Sequence, residues 1–224
     1  MAQQPVHSKI LSRAAKHVLG PLGIYQKGRS RTWLDDLGWR LTVIEFQPSS
    51  WSRGSYLNVG VMWLWKPQDY HSFDLGYRVE CFVEFQSETQ FAQAAESLAI
   101  AARDKVEALR NELPTIHAAA DVLLRNVGNG DTGWSLLNAG IACALAGRQS
   151  HAMNLLSQLI NEPCTYPWER DRCAFATKIH GKLANLGAFR QEILSIIRAT
   201  RQALKLQAQF DVKPAQIGIS VSEE

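Results

Sequence analysis

Residues 55–65 read Ser-Tyr-Leu-Asn-Val-Gly-Val-Met-Trp-Leu-Trp, and the alternation within them decides the fold class. In an extended chain successive side chains point to opposite faces. Leu57, Val59, Val61, Trp63 and Trp65 therefore share one side, and Tyr56, Asn58, Gly60, Met62 and Leu64 the other. Both sides are largely apolar, which predicts a strand inside a sheet rather than at its edge. Three neighbouring segments have the same β-branched and aromatic character. Residues 30–35 and 39–47 are joined by Asp36-Leu37-Gly38, a hairpin link. Residues 76–86 alternate Tyr77, Val79, Cys81, Val83 and Phe85 against Arg78, Glu80, Phe82 and Glu84, so one of their faces meets solvent. Links this short suit an antiparallel meander, because parallel crossovers need about a dozen residues or more.

Outward from the strands the pattern turns helical. Residues 5–19 place Val6, Ile10, Leu11, Ala14 and Val18 on one stripe, and Gly20-Pro21 ends that helix. Ser87, followed three residues later by Gln90, has the form of a capping box. It opens a helix to about Asn111 with Phe91, Ala95, Leu98, Ala102, Val106 and Leu109 in line, expected to lie across the sheet. Pro114 precedes a shorter helix, 115–126, and Gly128-Asn129-Gly130 marks the expected domain boundary. Residues 132–162 read as a helical hairpin turning at Gly147-Arg148, with the large–small–large spacing of a tetratricopeptide-type repeat. Ile179, Leu183, Leu186, Ile193, Ile196 and Ile197 suggest a second hairpin, and a plain helical bundle fits the same pattern. The predicted fold is thus α+β: a four-stranded antiparallel sheet packed with helices in residues 1–127, an all-helical hairpin or bundle module in 131–210, and a loose tail in 211–224.

Composition sets the wider limits. The chain has 224 residues, 46% hydrophobic and 20% charged, which excludes wholesale disorder and collagen-like or disulfide-scaffold architectures. No apolar run approaches the roughly 18–20 residues that span a bilayer, and the first residues lack the form of a secretory leader, so a cytoplasmic location is expected. Cys81, Cys143, Cys164 and Cys173 are scattered, and none of the six histidines lies within five residues of a cysteine or of another histidine. Free thiols and no metal site are expected. Residues 1–60 carry eight basic against three acidic side chains, with Lys27, Arg29 and Arg31 close together. No phosphate-binding loop, dinucleotide fingerprint, nucleophile elbow or zinc-binding helix occurs. No catalytic residue and no cofactor is assigned.

The order Leu22-Gly23-Ile24, Lys27-Gly28, the tryptophan strand, Phe46-Gln47-Pro48-Ser49 and Tyr56-Leu57-Asn58-Val59-Gly60-Val61 resembles a bacterial family known as domain of unknown function 4304. The resemblance spans about residues 8–125, with Ile24 where that family usually has an aromatic residue. It implies a bacterial protein with an α+β fold and implies no activity.

Candidate binding residues come from chemistry in unusual places. Of seven tryptophans, five fall between Trp33 and Trp65. Trp63 and Trp65 suit a core, whereas Trp51 stands beside Arg53 in a turn-rich loop of serines, where it forms either a recognition tip or loop packing. Gln47 and Asn58 are amides in apolar strands. They either line a pocket with Glu45 and Tyr56 or form a structural network. Asp35-Asp36 is an adjacent acidic pair too isolated to suggest carboxylate chemistry. The helix from Gly187 alternates Ile193, Ile196, Ile197 and Leu204 with Arg190, Arg198 and Arg201, a pattern for a partner groove, an acidic surface, a membrane face or a terminal bundle helix.

Three functions remain open at this point. The leading one is a non-catalytic protein–protein interaction module, an adaptor or an immunity-type neutralising partner, recognising another protein. The second is nucleic-acid binding through Lys27, Arg29, Arg31 and Arg53. The third is an enzyme with its site between the two modules.

Overall fold

A computed structural model describes residues 5–129 and 132–219. The chain forms two compact units, Met1–Trp63 with Tyr70–Asn111, and Leu64–Asp69 with Glu112–Glu224. The division falls at the end of the long helix and not at Gly128–Gly130, so helix 116–125 goes with the helical unit.

The first unit is α+β. Its elements are α1 (Val6–Leu19), β1 (Tyr25–Gln26), β2 (Thr32–Asp36), β3 (Arg40–Gln47), β4 (Gly54–Trp63), β5 (Leu75–Glu84) and α2 (Glu88–Glu112). The strands form one antiparallel sheet in the order β1-β2-β3-β4-β5. The four strands read from the sequence are joined by a fifth, β1, which is too short to carry an alternation and is held by pairing Tyr25 with Leu34 and Gln26 with Trp33. β4 does lie inside the sheet, but it stops at Trp63, where the Asp74 carboxylate accepts the Trp63 amide at 2.8 Å. Trp65 thus leaves the expected strand face and is buried in the second unit.

One sheet face carries Trp33, Asp35, Arg40, Thr42, Ile44, Phe46, Leu57, Val59 and Val61, all buried. α2 buries the stripe its spacing predicts, Phe91, Ala95, Leu98, Ala102, Val106 and Leu109, and Ala99 beside it. Arg40 fixes α2 to this face, donating to Thr42 Oγ1 at 3.1 Å and to the Leu109 carbonyl at 3.4 Å. A second clamp is two-pronged. Arg110 donates to Asp35 Oδ1 at 2.6 Å and Oδ2 at 3.2 Å, and also to the Leu22 carbonyl at 3.0 Å. Ser87 caps α2 by accepting the Gln90 amide, while the Gln90 side chain accepts from Gln86 rather than from Ser87.

The second unit is helical: α3 (Ile116–Arg125), α4 (Thr132–Leu145), α5 (Gln149–Ile160), α6 (Pro167–His180) and α7 (Leu186–Ala203). Successive helices from α3 to α6 pack on one another, and α4 also meets α6 and α7. A helix apolar on every side belongs in an interior, and α4 is buried continuously from Leu136 to Leu145. Contacts of α4 with α6 and α7 are those expected both in a bundle and between two adjacent helical hairpins, the two alternatives that the sequence leaves open. Residues 211–219 are not the loose tail expected. Val212 and Ile217 are buried, and Asp211 pairs with Arg198 and Arg201; residues 220–224 lie outside the described residues. No helix among the described residues is long and apolar enough to cross a membrane.

Candidate recognition cleft

The β3–β4 loop projects Trp51 from the first unit. Ser49 Oγ accepts the Trp51 amide at 3.1 Å, tightening the turn. Gly54 then starts β4 with φ +154°, where any Cβ would collide with the Val83 carbonyl and the Phe82 ring. Glycine is therefore what lets the loop leave the sheet so close to β5. Trp51 is 95% exposed, so its indole is not packed into the loop. Beside it opens a cleft of about 790 Å³ whose walls include Val6, His7, Pro48, Trp51, Arg53 and Phe85.

The electrostatics of this cleft are set by cations. Arg53 is exposed, and its guanidinium has no ion-pair partner among the described residues. Arg31 lies behind the cleft, donating to Ser8 Oγ at 2.6 Å and to the Gly54 carbonyl at 2.9 Å. His7 packs against Phe85 and Phe91, with ring centroids 5.8 and 6.2 Å away. Burial, reinforced by the charges of Arg31 and Arg53, holds its imidazole below the ordinary histidine range. A proton is disfavoured at His7 chiefly because burial strips the imidazolium of water, with the Arg31 and Arg53 charges adding to that. Among the described residues, Glu88 is the one carboxylate in the wall.

Gln47, Tyr56 and Asn58 come together with Glu45, but elsewhere on the unit, on the opposite sheet face from α2. Asn58 Nδ2 donates to Glu45 Oε2 at 2.9 Å and to Gln47 Oε1 at 3.0 Å. Arg78, which the sequence reading did not single out, completes the group: it donates to Gln47 Oε1 at 2.8 Å and lies 3.9 Å over the Tyr56 ring. These groups satisfy one another, as the structural-network alternative requires. The Arg78 position follows from irregular pairing, because Asn58 faces Arg78 while Leu57 faces Glu80. The same irregularity turns Cys81 outward, although alternation placed it on the apolar face.

The basic cluster is divided. Arg29 is exposed, whereas Lys27 donates to His71 Nδ1 at 3.0 Å and Arg31 is committed to Ser8 and Gly54. His7 and Ser8 were missed in the sequence because α1 turns a different side inward from the one its hydropathy suggests. Cys164 and Cys173 were read as unrelated thiols, and folding brings them together. Among the described residues no group of three or more histidine, cysteine or acidic side chains is placed to hold a metal ion. Comparisons with protein-family models, with curated proteins and with solved structures returned no match to this chain.

Proposed function

We propose that this protein is a non-catalytic recognition module that binds another protein, as an adaptor or a neutralising partner in the cytoplasm. The observation that carries the reading is Trp51, almost wholly exposed on a loop that its own hydrogen bond and Gly54 hold in shape, at the rim of a cleft. An exposed indole is unfavourable in water, and tryptophan and arginine are the residues most enriched in binding hot spots. The exposed head of Arg53, without an ion pair among the described residues, favours an acidic segment, with an apolar side chain against Trp51, Val6 and Phe85. Occupation of Lys27 and Arg31 by internal partners disfavours the nucleic-acid reading, since phosphate-driven affinity needs several free cations.

The test is calorimetric titration of a co-purifying partner into the wild-type chain and into Trp51→Ala and Arg53→Ala. Each substitution is expected to weaken binding at least about tenfold, or ~1.4 kcal/mol. Each should change folding stability by no more than about 0.5 kcal/mol, because both side chains are exposed. Unchanged affinity in both variants would remove the cleft from the reading.

A further inference from the structure

The second unit holds a feature unrelated to the cleft. Cys164 lies in the connection between α5 and α6, and Cys173 lies on α6, nine positions along the chain. Their sulfurs are in contact, with Sγ to Sγ 2.6 Å. Each sulfur is also oriented by a backbone carbonyl, Cys164 by that of Glu162 at 3.6 Å and Cys173 by that of Leu159 at 3.7 Å. Both residues are half-buried, so a small reagent reaches them, whereas Cys143 is buried and Cys81 is exposed on β5. We propose that Cys164 and Cys173 form a dithiol–disulfide couple that exchanges with a small-molecule disulfide of the glutathione class.

The chemistry balances as an exchange in two steps. The Cys164 thiolate attacks one sulfur of the small disulfide, forming a mixed disulfide and expelling one thiolate. Cys173 then gives up its proton and attacks Cys164 Sγ, expelling the second thiolate. Two protein thiols are oxidised, one small disulfide is reduced to two thiols, and the released protons go to the leaving groups. Burial, with the hydrogen bond to Cys164, pushes the Cys173 thiol up to about 11, which lowers its thiolate fraction, so the second step relies on its sulfur already lying in contact with Cys164 Sγ.

The ring that this bond closes contains an exposed aromatic pair. Tyr166 and Trp168 are 58% and 45% exposed and stack with centroids 6.2 Å apart and planes 6° from parallel. The Arg172 guanidinium lies 5.1 Å from the Trp168 ring centre. Oxidation would therefore pin the segment that displays this pair, and reduction would release it.

The experiment uses the full chain carrying Cys81→Ser, which removes the exposed thiol. The folded protein is equilibrated with reduced and oxidised glutathione, quenched with an alkylating reagent and mapped by peptide mass. The expected product is an intramolecular Cys164–Cys173 peptide pair, formed with an equilibrium constant at least about tenfold larger in the folded chain than in denaturant. Adding Cys173→Ser is expected to leave glutathione attached to Cys164. Finding both thiols alkylated, or a persistent glutathione adduct on the chain that retains Cys173, would overturn the proposal.

Discussion

Asp35 and Asp36 adjoin in sequence yet do separate work, because a strand turns successive side chains to opposite sides. Asp35 is buried against Arg110, while Asp36 accepts the Gly38 amide at 3.0 Å and the Tyr25 hydroxyl at 3.3 Å. Asp35→Ala leaves the Arg110 guanidinium without its charged acceptor in a half-buried setting, and should cost about 2–3 kcal/mol in urea unfolding. Asp35→Ala combined with Arg110→Ala should cost less than the sum of the two alone, as a double-mutant cycle reads directly. His71 gives a pH signature. Burial, with the charge of Lys27, lowers its imidazole to about 4. Below an unfolded value of about 6.5 the unfolded chain takes up a proton that the folded chain refuses. Its contribution to stability is thus complete above that value and is lost progressively as pH falls towards 4. His71→Gln should flatten the decline of the urea midpoint across that window relative to wild type.

Elements were legible wherever the hydropathy pattern had one solution. All six residues read onto the inward face of α2 are buried, and Ala99 joins them, because its large side chains recur with only one possible stripe. In α1 two stripes overlap. The helix buries Ser8, Leu11, Ala15 and Leu19 instead of the set centred on Val6, Ile10 and Ala14, and Val6 is 45% exposed in the cleft. A buried serine carried no hydrophobic signal, and only the guanidinium of Arg31 explains it. β5 misled for a different reason, since extra residues against β4 shift which side chains face outward, and strict alternation cannot foresee a bulge. Where the pairing is regular, Gly60 stands opposite Gly76. Gly76 has φ +134°, and a Cβ there would strike the Gly60 backbone and the Val59 carbonyl. Gly76→Val is expected to destabilise the chain by more than the about 1–3 kcal/mol of backbone strain alone. A thermal shift within error of wild type would mean that β5 is not held against β4 as described.

At the scale of the molecule, the α+β class and the helical second half were readable because periodicity changes abruptly after Ser87. The division between the two units was harder to read. Gly128-Asn129-Gly130 has the composition of a linker, yet the units divide near Glu112, and Leu64–Asp69 also belongs to the helical one. Trp65 shows why: its indole donates to Asn138 of α4 at 3.0 Å, a partner distant in sequence that no local pattern announces. The candidate site was legible in part. Trp51 and Arg53 stood out by residue type in a loop, but the cleft wall contributed by α1 and Phe85 exists only after folding.

The most direct test of the recognition cleft is selection of a random peptide library displayed on phage against the full-length chain, with recovered peptides rebound to Trp51→Ala and Arg53→Ala. The expected pool is rich in aspartate and glutamate around an apolar residue, loses binding at least about tenfold on either substitution, and weakens as salt rises. Failure to enrich any acidic sequence, or a pool that binds both variants as well as wild type, would contradict recognition by this cleft.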